Sequence, residues 1–217
     1  MAVLFLAPSS GLRAQADAIP TCLYGKITVG DDGTAVAPCG ADINGIGKSP
    51  DVLAVMRTFD IAPGSVTFQA CPGGSFSASP AESGTGRFLV RYPSAVESDY
   101  LAPIVHELGH VVQMKSAGGL EALDPARNSR RIELGADFLA GLAFNLTLQR
   151  LDGGDFETNL QLVGSYVDKS KRDDHGPPEY RTTAFRRGWI RKEPYSQLTI
   201  VESLNYWYAN DYARLSR

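Results

Sequence analysis

His106-Glu107-Leu108-Gly109-His110 is the stretch of this chain whose residue types and spacing can do chemistry. Two histidines four apart on a helix stand one turn apart on the same face. Both imidazoles can then reach one Zn²⁺ at roughly 2.0–2.1 Å. Glu107 lies about 100° round the helix from His106, so it flanks the metal without joining its shell. From there it can take a proton from a water at the zinc, as a general base. A third protein ligand is needed, and Glu133 of Glu133-Leu134-Gly135-Ala136-Asp137 is the candidate. Asp137, one turn further on, is expected to accept a hydrogen bond from His106 and fix its tautomer. The bland alternative is an idle histidine pair and two solvated acids. It requires both motifs to be coincidences in a chain with only three histidines. A structural zinc site usually closes with four Cys or His ligands, and the cysteines here are too few and too distant for that.

The third histidine, His175, precedes a predicted helix. It is a candidate for stabilising the oxyanion of a hydrolytic transition state, with Tyr180 or Arg181 as substitutes. A capping or packing role is the alternative for His175. Arg181 and Arg186 could equally pair with Asp173 or Asp174.

These residues need elements to hold them. The motif helix is expected from Ser98 or Asp99 to about Ser116, with Pro103 in its entry and Gly118-Gly119 at its end. Apolar Ile104, Val105, Leu108, Val111 and Val112 surround the histidines, which predicts a dry site. Asp124-Pro125 reads as an N-cap followed by proline at the first helical position. The helix it opens is expected to reach about Arg150, with Ile132, Ala136, Leu139, Ala143 and Leu146 as its apolar stripe. Asp155 is the expected cap of a further helix to about Asp168. A polar loop then leads to helices over Pro178–Ile190 and about Gln197–Leu215. Leu204, Trp207, Tyr208 and Tyr212 of the last read as core. Upstream, Leu23–Val29 and Thr34–Ala37 suggest a hairpin, and Ser49-Pro50 starts a short helix. Val66–Cys71 reads as a strand, Pro72–Gly86 as a loop, and Arg87–Tyr92 as a second strand. That second strand is either an ordinary core strand or an edge able to pair with an extended peptide. Asn44–Lys48 lacks the pattern of a phosphate loop.

Composition bounds the rest. With 217 residues, 43% of them hydrophobic, the chain can bury one full core. A net charge of −3 argues against nucleic acid as a partner. Residues 1–16 read as an export signal, with Ala14-Gln15-Ala16 as its cleavage site, and no run is long enough for stable membrane insertion after its removal. Residues 17–217 then form a single domain, a strand and loop region over 17–95 and a helical catalytic core over 96–217. The protein is expected to be periplasmic or secreted. Two of Cys22, Cys39 and Cys71 are expected to pair; the sequence leaves the choice open, with Cys39–Cys71 preferred.

His106–Gln113, joined to Arg131–Gly141 and then to His175-Gly176, Arg181 and Phe185-Arg186-Arg187-Gly188, resembles the bacterial neutral zinc metallopeptidase family. The three blocks come in the family's order and span roughly 98–190. The resemblance implies an α+β, mainly helical, zincin-like fold, a single catalytic Zn²⁺ with Glu133 as its third ligand, and a peptide or protein substrate. Val111, Gly135 and Phe138 depart from the family's frequent His, Gln and Cys, and none of these is a ligand position. Two other functions compete: a zinc-binding assembly protein that cleaves nothing, and a zinc amidase acting on cell-wall crosslinks.

Overall fold

The computed structural model describes residues 38–72, 76–82, 84–95, 100–165 and 177–215, without the side chains of 161–165. The expected export signal, the 23–37 hairpin, Cys22, Asp173, Asp174 and His175 lie outside the described residues. The class is the expected one, α+β and mainly helical. Among the described residues, no helix is long and apolar enough to cross a membrane.

A short helix, α1 (Pro50–Thr58), leads into a mixed three-stranded sheet. Strand β1 (Val66–Cys71) pairs in parallel with β3 (Phe88–Pro93), Val66 opposite Phe88. Strand β2 (Ser77–Pro80) pairs antiparallel with β3, Ser77 opposite Arg91. The sheet order is β1-β3-β2, so β3 is central and cannot be the edge that one reading of the sequence made of it. The edge is β2, inside the stretch expected to be loop. Its Ser-Ala-Ser-Pro composition carries little strand propensity. Small side chains are what the position requires, because Ser77 and Ala78 are buried where β2 runs against the motif helix. A disulfide joins Cys39 to Cys71, the preferred pairing, and ties the chain entering α1 to the end of β1.

The motif helix, α2 (Leu101–Ala117), ends at Gly118, whose left-handed φ of 83° turns its N–H back onto the Met114 carbonyl. Every residue from Ala102 to Met114 is buried, so α2 is a central helix covered on all sides. Helix α3 (Pro125–Ala143) packs against it, with Gly109 at the closest approach to Ala136. Proline does open α3, but Asp124 is left-handed at φ 49° and makes no capping bond; Asn128 Nδ2 instead donates to the Leu123 and Asp124 carbonyls. Helix α3 also stops short of the expected Arg150. Its last turn widens into a π-turn over Phe144–Leu148. There Asn145 Nδ2 donates to the Trp189 carbonyl at 2.8 Å, and the Thr147 and Thr58 hydroxyls bond at 2.7 Å. Tertiary partners for polar side chains thus compete with continued helix.

Helix α4 (Gly153–Ser165) is capped by Asp152 rather than Asp155: Asp152 Oδ1 accepts from the Gly154 and Asp155 amides. Helix α5 (Pro178–Ile190) runs as expected. It lies so close to α3 that a Cβ on Gly141 or Gly188 would strike the other helix's backbone. The predicted last helix is two, α6 (Ile200–Asn210) and α7 (Tyr212–Leu215), and α6 opens on a capping box of Thr199 and Glu202. Trp207 stacks on Phe138 of α3 with ring centroids 5.5 Å apart, so the aromatic stripe is core.

Candidate metal centre

Helix α2 presents His106, Glu107 and His110 towards α3, which answers with Glu133 and Asp137 one turn apart. All five are at most 1% exposed. His106 Nε2 lies 3.1 Å from Glu133 Oε2, and His110 Nε2 lies 3.4 Å from the same oxygen. The imidazoles meet edge to face, with centroids 4.7 Å apart. The structure therefore brings together the three residues expected to be ligands.

Each histidine is fixed from behind. Asp137 Oδ1 is 2.9 Å from His106 Nδ1, the contact expected of it. Arg181 of α5 reaches over and donates Nε to Asp137 Oδ2 at 2.8 Å and Nη2 to Oδ1 at 2.9 Å. Behind His110 stands Gln113, whose Oε1 lies 2.8 Å from His110 Nδ1. Gln113 Nε2 donates to the Ile132 carbonyl at 2.7 Å and to the Tyr208 hydroxyl at 2.8 Å. Tyr208 comes from α6, and the Arg131 guanidinium lies 4.2 Å over its ring. Gly135 makes this possible: a Cβ there would collide with the Tyr208 hydroxyl and Gln113 Nε2.

These partners decide the tautomers. A carbonyl oxygen only accepts, so Gln113 must turn its amide nitrogen to Ile132 and its oxygen to His110. His110 Nδ1 then carries the proton, and Nε2 keeps a lone pair. The ionised Asp137 asks the same of His106. Two nitrogen lone pairs therefore converge on a carboxylate oxygen, which a cation or a proton among them must reconcile. The 3.1 and 3.4 Å separations are close to the edge of a tetrahedron whose centre lies 2.0–2.1 Å from each ligand, about 3.3 Å. His106, His110 and Glu133 could hold a metal ion, and two imidazoles with one carboxylate suit zinc.

The electrostatics follow from burial. Desolvation alone would lower the His106 pKa, but the bonds to Asp137 and Glu133 outweigh it and hold it above its ordinary value. Desolvation would raise Asp137; the Arg181 charge and hydrogen bonds outweigh that and keep it low. Glu107 has no such anchor. Burial pushes its pKa up to about 8, against smaller pulls from His110, Arg181 and the Ala78 backbone of β2. No side chain among the described residues hydrogen-bonds its carboxylate.

The other expected site residues fare differently. Arg181 is drawn to Asp137, so it supports His106 from behind rather than facing the cluster. Arg186 pairs with Glu157 at 2.8 Å. Tyr180 packs its ring against the core, and among the described residues no hydrogen bond links it to the cluster. Gln113 and Tyr208 were not expected in the site. Gln113 was within reach of sequence reasoning, since three residues after His110 on a helix is the same face. Comparison with known proteins finds no matching protein-family model, no matching curated protein and no matching solved structure.

Proposed function

We propose that this chain is a zinc-dependent metallopeptidase of zincin-like fold, exported from the cell. The observation that carries the reading is the convergence of His106 Nε2, His110 Nε2 and Glu133 Oε2 beside a buried Glu107 that no described side chain bonds. Zinc at this point supplies a Lewis acid that polarises a carbonyl and acidifies water. Glu107 then accepts the proton of the attacking water and delivers it to the leaving amine. Asp137 and Gln113 keep the imidazoles in the tautomer and orientation that binding needs.

Two further features support it. A buried carboxylate without a partner is costly, and a protein that only stored zinc has no need of one at Glu107. In the antiparallel pair the Ala81 amide bonds the Arg87 carbonyl at 2.8 Å. By alternation the Ala78 N–H and carbonyl and the Pro80 carbonyl face outwards, along an edge no described strand covers. An extended peptide can add there, next to Glu107. The Cys39–Cys71 bridge agrees with an oxidising compartment.

The test is digestion of a peptide pool and of cell-wall fragments by the zinc-loaded protein, with and without chelator. Chelator-sensitive cleavage of peptides is expected. Glu107→Gln should keep zinc and lose at least about 10²-fold in rate. Undiminished cleavage by Glu107→Gln sinks the general-base assignment; cleavage of cell-wall fragments alone sinks the peptidase.

A further inference from the structure

A cavity of about 990 Å³ runs beside the edge strand, between β2 and the second half of α2. Ser79, Pro80, Arg91, Val111, Met114 and Lys115 are among its walls. None of the cluster residues is among its walls; it meets the cluster's flank through Val111, one turn from Glu107 on the same face of α2, and through Ser79, next to Ala78, whose backbone acts on Glu107.

Of its charged walls, Arg57 and Glu121 are exposed, and four others are matched within it. Lys115 pairs with Asp60 at 3.0 Å and Arg87 with Glu82 at 3.3 Å. Arg91, from the central strand β3, is different. Its guanidinium reaches Ser79 Oγ at 3.1 Å, and no carboxylate among the described residues pairs with it. Desolvation lowers its pKa, as expected of a cation short of both water and counter-ion. A planar fork with free donors in a cavity is suited to a carboxylate, which it can bind through two parallel hydrogen bonds.

We propose that Arg91 binds a carboxylate of the peptide substrate in this cavity, so that peptides lying along β2 are selected for a carboxylate at that point. The carboxylate is either an acidic side chain or the substrate's C-terminus. The inference rests on the peptidase reading, and binding measurements separate the two.

Zinc-loaded Glu107→Gln protein is titrated with fluorescent octapeptide pools of three kinds. One carries an internal Glu and a C-terminal amide, one has Gln in its place, and one has the Gln with a free C-terminus. The first or third should bind about ten- to a hundred-fold more tightly than the all-neutral second, and whichever gains identifies the source of the carboxylate. Raising the salt concentration should shrink the ratio. Arg91→Gln in the same background should bring the ratio close to one, while Arg214→Gln, remote from the cavity, should leave it. Arg91→Lys, with the charge but not the fork, should retain part of it. Equal binding of all three pools by the protein with Arg91 intact overturns the proposal, as does no binding at all, and neither outcome depends on any Arg91 variant folding. So does a ratio that survives Arg91→Gln. A carboxylate preference in binding without cleavage of any peptide by the wild type overturns the peptidase reading alone.

Discussion

The two histidines of the metal centre are held by unlike supports. Behind His106 stands a buried ion pair, Asp137 with Arg181, contributed by α3 and α5. Behind His110 stands a neutral chain, Gln113 with Tyr208 and the Ile132 carbonyl, contributed by α2, α6 and α3. Both do one geometric task, since each directs an imidazole Nε2 at Glu133. They differ in what happens when a part is removed. A charge left alone in a protein interior is far more costly than an amide or hydroxyl left alone.

The largest effect is therefore expected at Asp137. Asp137→Ala removes the carboxylate to which the Arg181 guanidinium, 3% exposed, donates two bonds, and should destabilise the fold by about 3–5 kcal/mol in urea unfolding. Replacing both, Asp137→Leu with Arg181→Met, should recover much of that stability while zinc binding stays weak. If the double variant is no more stable than the single, the loss of this ion pair is not the cause. Gln113→Leu should be milder, about 1–3 kcal/mol, because only neutral groups lose partners. Its zinc affinity, by chelator competition, should fall about 10–100-fold. An affinity unchanged in Gln113→Leu breaks the comparison, since His110 would then need no support.

Glu107 is bonded to neither support, so its signature is pH. Its carboxyl titrates near 4.5 ordinarily and near 8 in the metal-free fold. Between those values the folded state holds a proton that the unfolded state has released. Stability of metal-free protein should then fall as pH rises across that window, by up to about 1.4 kcal/mol per pH unit. Glu107→Gln should flatten the slope between pH 4.5 and 6.5, below the range in which the raised His106 loses its own proton; a slope that persists there assigns it to another group. The smallest effect is expected from Tyr208→Phe, about 1 kcal/mol or less, with a loss of zinc affinity smaller than that of Gln113→Leu. Cobalt-substituted protein gives an independent reading, because a rotated His110 changes the visible bands even where stability hardly moves.

How legible the site was follows the reach of each interaction along the chain. His106, His110, Glu133 and Asp137 were legible because one helical turn fixes which residues share a face. The motif helix and its Gly118 end were legible for the same local reason. Strand β2 was not: Ser77-Ala78-Ser79-Pro80 becomes a strand only because β3 offers it a ladder and α2 needs small residues above it. That also turned the expected edge, β3, into the centre. The caps at Asp124 and Asp155 were misread because aspartate near a helix start has several local conformations: Asp152 caps α4, and α3 opens with no side-chain cap. Arg181 and Tyr208 meet the site only through long-range packing, which no spacing rule encodes.

The Tyr208–Gln113 bond has a consequence for the order of assembly. A chain leaving the ribosome releases the histidines first, then Glu133 and Asp137, then Arg181, and Tyr208 after all of them. The support of His106 can close while that of His110 still lacks its last member. A nascent chain can therefore hold the cluster half-braced until α6 has docked and brought Tyr208 to Gln113.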